Sequence, residues 1–339
     1  VFKWTKKQNK HYVYAVSVHK NAVHIAILRA VAEASSSAAY LTATRAQEQQ
    51  QWELVVNDDI EVTGEAYGDA IQALLQRYER FESKHQPLQL VLSPALVEQV
   101  AIEKPDLPEA DIAATLQWTL KDLVSIPAAD LITDFYNPAV QAAGAKKINV
   151  VAARRGLLAE CLAPLHAAEF SIQGIVNADL AMSQWFEPNE RLMLVCHTGQ
   201  ESNQLQIISK NQLVVYRELN RIKPISGIAP DDMDELEALA LELQRSLDFY
   251  TGQLRQPPLA EIVLAVAHPR VTELAEIIGA QLGTQSSVLK YPAWVNDLKA
   301  GDYTDLAVLS GLMYAFDSVQ QDGDETETTP ANAGEGAVA

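Results

Sequence analysis

Side chains that ligate metals, attack carbonyls or move protons are few in this chain and poorly grouped. The two cysteines, Cys161 and Cys196, stand far apart and without metal-ligand spacing. Zinc sites and disulfide frameworks need closer and more numerous partners, so both thiols are expected to be buried and free, as suits a reducing compartment. His11, His24, His85 and His166 are scattered, each expected at the surface or half-buried. Asp130 and Asp134 have the spacing of paired carboxylates, but around a β-rich run they read as solvated flanks. Arg154 and Arg155 close another apolar run, where an acidic partner and a local salt bridge are equally good readings. No GxxxxGK[ST], GxSxG or HExxH string occurs.

The elements that must position these residues follow from patterning. The chain has 339 residues, 48% hydrophobic and 21% charged, too long for one core and suited to two lobes. A net charge of −18 argues against general nucleic-acid binding. No apolar run spans a bilayer, and the basic start, VFKWTKKQNK, lacks the apolar region and cleavage site of a signal peptide. Tyr12–Val18 and Val23–Leu28 alternate around His19, Lys20 and Asn21, which predicts a β-hairpin. A third strand is expected at Ala39–Thr44 or Trp52–Val56, then a helix over Ala66–Phe81 and a buried strand at Leu88–Leu92. The same order returns: strands at Leu192–Cys196, Leu205–Ile208 and Leu213–Leu219, a helix over Asp232–Gly252, a strand at Ile262–Val266, a helix at Arg270–Leu282, a strand at Ser287–Lys290 and a last helix over Leu306–Phe316. Two such halves predict a duplicated mixed-sheet α/β fold with a cleft between lobes. Between them, a helix from Leu107 to Val124, strands at Leu131–Tyr136 and Lys147–Ala152, a helix at Leu157–Ala168 and a strand at Ile172–Val176 predict a small α/β subdomain. The expected boundaries are a basic arm at 1–11, the first lobe at 12–106, the subdomain and return at 107–180, the second lobe at 181–317, and a disordered acidic tail at 318–339.

Several segments carry a family resemblance. AATLQWTLKDLVSIPAADLITDFY (Ala113–Tyr136), INVVAAR (Ile148–Arg154), IQGIVNADL (Ile172–Leu180), LQRSLDFY (Leu243–Tyr250) and LAVLSGLMYAF (Leu306–Phe316) together resemble the PilM-type proteins of type IV pilus assembly. Within that group the likeness is greatest to the members serving mannose-sensitive haemagglutinin (MSHA) pili. The resemblance implies an actin-like (ribonuclease H-like) two-lobed fold with an inserted subdomain. It also implies a cytoplasmic scaffold peripheral to the inner membrane, with the N-terminal cytoplasmic tail of a PilN-like protein docked between first lobe and subdomain. An assembly ATPase is a further implied partner.

Actin-like ATPases hold nucleotide between hairpin turns in which glycine admits phosphate and an acidic group organises metal. Here the first turn reads Val16-Ser17-Val18-His19-Lys20-Asn21, without Asp or Gly. The second reads Val195-Cys196-His197-Thr198-Gly199-Gln200, with His197 where Asp is expected, and the adenosine-side loop reads Ala267-His268-Pro269. Imidazole is a poor stand-in for a hard oxygen ligand to Mg²⁺. The expectation is therefore a degenerate cleft at Ser17, His19, Lys20, His197 and Gly199, with no cofactor, no metal and no catalytic residue. Slow or absent hydrolysis by a chain that still binds ATP and Mg is the alternative. The expected docking residues are Leu116, Trp118, Leu120, Leu123 and Arg154, with plain core as the competing reading for the leucines. Lys3, Lys6, Lys7 and Lys10 around Phe2 and Trp4 are expected either to touch anionic lipid weakly or to stay solvated.

Overall fold

The run YVYAVSV is β-branched or aromatic at most positions, and in the computed structural model it forms a buried central strand, β1 (Tyr12–Val18). The structure describes residues 12–30, 52–198, 201–291, 295 and 303–314. A turn closed by the His19 amide on the Ala22 carbonyl (2.8 Å) returns the chain as β2 (Ala22–Ala30), antiparallel to β1. β3 (Trp52–Glu61) pairs with β2, which places the third strand at the second of its two expected positions. The other position, Ala39–Thr44, lies outside the described residues, as do the basic arm and the acidic tail. Helix α1 (Tyr67–Arg77) then leads to β4 (Pro87–Leu92), parallel to β1.

The chain next leaves this sheet. β5 (Val97–Glu103), α2 (Glu109–Thr119), β6 (Leu131–Tyr136) and β7 (Lys147–Arg154) follow, and the strands make a separate antiparallel sheet ordered β5-β7-β6. Ile112, Leu116 and Leu120 pack with Ile102, Leu131, Ile148 and Val150 into a small core. The expected subdomain of helix, strand, strand, helix and strand is corrected at both ends. β5, ahead of residue 107, supplies an outer strand. α3 (Arg155–Ala167) packs on α1, and β8 (Ser171–Asn177) runs parallel to β4, so both belong to the first sheet. The reason is burial: Leu157, Leu158, Cys161 and Leu165 of α3 complete the apolar face formed by Val16, Ile25, Ile71 and Leu90.

A short helix, α4 (Ala178–Ser183), starts where the Asn177 side chain accepts the Leu180 amide. The second lobe then repeats the first: β9 (Arg191–His197), β10 (Gln204–Ser209) and β11 (Gln212–Glu218) are antiparallel. Helix α5 (Met233–Asp248) is capped by Asp232 and ends in a π-turn over Phe249–Gln253. β12 (Glu261–Val266) runs parallel to β9, followed by α6 (Val271–Leu282) and a short β13 (Gln285–Val288). The two sheets have matching orders, β3-β2-β1-β4-β8 and β11-β10-β9-β12-β13. Between them lie α4 and a last helix, α7 (residues 306–314). One core joins Val13, Ala15 and Val91 of the first sheet to Leu194, Cys196 and Ala265 of the second through these helices. At Gly311 an added Cβ would fall 2.5 Å from Val91 Cγ2 and 3.2 Å from Ala15 Cβ, so a glycine there lets α7 seat on the first sheet. Both cysteines are buried and free. Among the described residues no helix is long and apolar enough to cross a membrane.

Candidate functional site

The duplicated topology brings the β1–β2 turn and the β9–β10 loop together across the lobes. Their meeting point is Glu201. Its Oε1 accepts the Lys20 amide (3.1 Å) and the Ser93 hydroxyl at the end of β4 (2.6 Å), and stands 3.4 Å from His19 Nδ1. Beside it opens a cleft of about 620 Å³, lined by His19, Lys20, His24, Glu61, Thr198 and Glu201 among others. Burial alone would raise the Glu201 pKa, but His19, Ser93 and the Lys20 amide outweigh it and hold the carboxyl below its ordinary value. Behind the turn, Ser17 is fully buried with its Oγ 3.2 Å from His19 Nε2, and His24 packs edge-on to the His19 ring at 5.0 Å. Burial, reinforced by His19, pulls His24 down to about 3, so that ring is neutral under ordinary conditions.

These positions correct the reading that neither turn supplies a carboxylate. β9 stays a regular strand through His197, whose backbone pairs alongside Val266 and whose ring is buried, with burial lowering its pKa. His197 therefore does not line the cleft; the acid comes from the loop beyond it, at Glu201. His19 and Lys20 do line the cleft, Ser17 lies buried behind His19, and Gly199 lies outside the described residues. In the adenosine-side loop, His268 Nδ1 accepts the Arg270 amide at 3.0 Å, at the approach to α6. Among the described residues, no three His, Cys, Asp or Glu side chains are grouped to hold a metal. Glu201 was legible only as one more acid in a polar loop; its role depends on a contact with Ser93, distant in sequence.

Asp179, on α4, joins all three parts of the molecule. It is fully buried and accepts from Gln99 Nε2 on β5 (2.7 Å) and from Gln206 Nε2 on β10 (3.0 Å). Burial, against those hydrogen bonds, pushes its carboxyl up to about 8.

A second concavity, about 590 Å³, lies between subdomain and first lobe. Its walls include Ile132, Phe135 and Tyr136 of β6, Ile175 and Val176 of β8, and Leu180 of α4. Among the described residues β6 and β8 are each the last strand of their sheet, so each offers one backbone edge with no described strand beside it. Ile175 is 42% exposed here. The expected docking residues fall elsewhere. Leu116 and Leu120 are wholly buried in the subdomain core, which is the competing reading, and Arg154 pairs with Glu65 at 3.0 Å. Trp118 and Leu123 are 76% and 52% exposed but do not line the groove. Helical spacing placed Leu116 and Leu120 on one face but could not say that this face looks into the core.

No protein-family model matches the chain, and a comparison with curated proteins finds no match. Solved structures do resemble it. The PilM–PilN type IV pilus biogenesis complex is similar over 91% of this chain and 98% of that one, at 14% identity and a TM-score of 0.57. A protein from Bacteroides thetaiotaomicron with an actin-like ATPase fold and unknown function is similar over 89% and 96%, at 9% identity and a TM-score of 0.50. The cytoplasmic domain of EpsL, an inner-membrane component of the type II secretion system of Vibrio cholerae, matches over 89% and 94%, at 15% identity and a TM-score of 0.47. The chain has the two-lobed actin-like ATPase fold.

Proposed function

We propose that this chain is a cytoplasmic scaffold of a type IV pilus assembly platform, peripheral to the inner membrane, which receives the N-terminal cytoplasmic tail of a PilN-like protein. The observation that carries this reading is the groove between β6 and β8. Two strand edges with no strand beside them among the described residues border an apolar floor, the arrangement that lets an extended peptide add main-chain hydrogen bonds and bury alternate side chains. The fold likeness to the PilM–PilN complex supports the same reading. The finer assignment is to an MSHA-type pilus system, on the segments quoted from Ala113–Tyr136 and Leu243–Tyr250. An assembly ATPase, and weak contact of residues 1–10 with anionic lipid, complete the proposed surroundings.

In this reading the interlobe cleft is not a working ATPase site. The amide and hydroxyl that would greet a phosphate are already engaged by Glu201. A thermal shift with Mg-ATP checks this: no stabilisation is expected, whereas ligand at 100 times its dissociation constant would add about 2.7 kcal/mol.

The docking proposal is tested by calorimetry with a synthetic peptide covering the cytoplasmic N-terminus of a PilN-like protein. Saturable binding is expected, with Ile175→Asp weakening it roughly tenfold or more, since a charge would be buried against apolar peptide. Trp118→Ala should bind normally. Loss of binding in Trp118→Ala with retention in Ile175→Asp would move the site to the outer face of α2.

A further inference from the structure

The cleft between the lobes has the wrong sign for a polyphosphate. Asp59, Glu61 and Glu201 line it, with Lys20 as the ammonium among its lining residues. The Lys20 ammonium makes no ion pair with another described residue, so it does not neutralise Glu61 or Glu201 at short range. A second, independent observation concerns Glu201 itself. Its side chain is only 5% exposed, and all its hydrogen bonds converge on Oε1; Oε2 is buried without a partner. A sealed carboxylate oxygen without a donor bears its full desolvation cost, and such atoms are rare in native proteins. The site therefore lacks a donor at Oε2, and the charge beside it asks for a positive one. A nitrogen cation supplies both the N–H donor that Oε2 lacks and the positive charge.

We propose that the interlobe cleft binds an alkylammonium or guanidinium group, which is held at the rim by Glu61 and drawn by the Glu201 carboxylate behind it, and which meets Oε2 through a small opening of the cleft wall. The proposal is independent of the β6–β8 groove. The shared chemistry comes from two sources, a free polyamine or a Lys or Arg side chain of a polypeptide. The cleft, about 620 Å³, has room for the methylene stem of either. An anion entering instead would have to displace Glu201 from Ser93 and the Lys20 amide and then face two further carboxylates. Entry of the cation tightens the contact between lobes, because Glu201 belongs to the second lobe while its partners belong to the first.

The test is calorimetry on the full chain with three probes: spermidine, an acetylated peptide of residues 1–10 of this chain, and Mg-ATP. Saturable binding of spermidine assigns a free amine, and binding of the peptide alone assigns a basic side chain; Mg-ATP should give none. Glu201→Gln should weaken the bound cation roughly tenfold or more, the loss of one charge-assisted hydrogen bond. Glu61→Gln, at an exposed rim position that does not touch the Ser93 contact, should weaken it several-fold and keeps the test decisive if Glu201→Gln does not fold. Asp111→Asn on α2 makes an equal charge change outside the cleft and should leave affinity unchanged. No binding by either cation, equal weakening by Asp111→Asn, unchanged affinity in Glu61→Gln, or binding of Mg-ATP in place of the cations would overturn the proposal.

Discussion

A carboxylate as deeply buried as Asp179 must either meet a cation or keep its proton, and its hydrogen-bond donors are the amides of Gln99 and Gln206. Its pKa of about 8 when folded lies above the unfolded value of 3.8, so the folded state holds the extra proton between those limits and stability falls as pH rises through them. His24 acts with opposite sign. Its pKa falls from 6.5 to about 3 on folding, so below 6.5 the unfolded state takes the proton and stability drops with pH. The two slopes oppose each other up to about pH 6.5, and from there to about pH 8 Asp179 acts without His24. Thermal denaturation should therefore show a Tm that declines between those values, and Asp179→Asn should flatten the decline. The amide substitute is tolerable because Gln206 Oε1 has no partner in the native structure and can take its N–H. An unchanged slope in the variant would remove Asp179 from this role. At this scale the sequence was least informative: Ser17, His19 and Lys20 were found from their turn, but Asp179 and Glu201 depend on partners far away in the chain.

At the scale of elements, the regular periods were legible and the sheet partners were not. Alternation located β1 and β2, an apolar run located β9, and helical patterning located α1, α3, α5 and α6. The apolar residues of β5, Val97, Val100, Ala101 and Ile102, keep no period of two, and α4 is barely more than a turn. That β8 belongs with β4 rather than with the subdomain depends on which apolar faces need covering, which no single segment states. Two substitutions test the packing. Gly311→Ala drives a methyl group into the stiff, β-branched Val91 and should cost about 1–3 kcal/mol by overpacking, read from the urea midpoint. An unshifted midpoint would mean that α7 does not seat as closely as described. Leu116→Ala should cost about 2–5 kcal/mol, as befits a core position. A loss below about 0.5 kcal/mol, ordinary for surface changes, would return Leu116 to the docking surface.

The whole molecule is two copies of one topology joined through α4 and α7, with a subdomain set on the first. That duplication was visible in the order of elements and implied a cleft between lobes, but the residues lining the cleft and the groove were not legible, because each is bounded by segments far apart in sequence. Tyr136, on the groove wall, reaches Gln99, which bonds Asp179, which bonds Gln206 of the second lobe. The groove and the second lobe are thus linked by one hydrogen-bonded chain, part-buried at Tyr136 and Gln99 and fully buried at Asp179. The central claim is that an extended tail docks along β6 and β8. Amide hydrogen exchange, with and without the cytoplasmic peptide of a PilN-like protein, tests it most directly. The account predicts new protection in residues 131–136 and 171–177, with α2 unchanged. Protection centred on Trp118 and Leu123, or none anywhere, would contradict it.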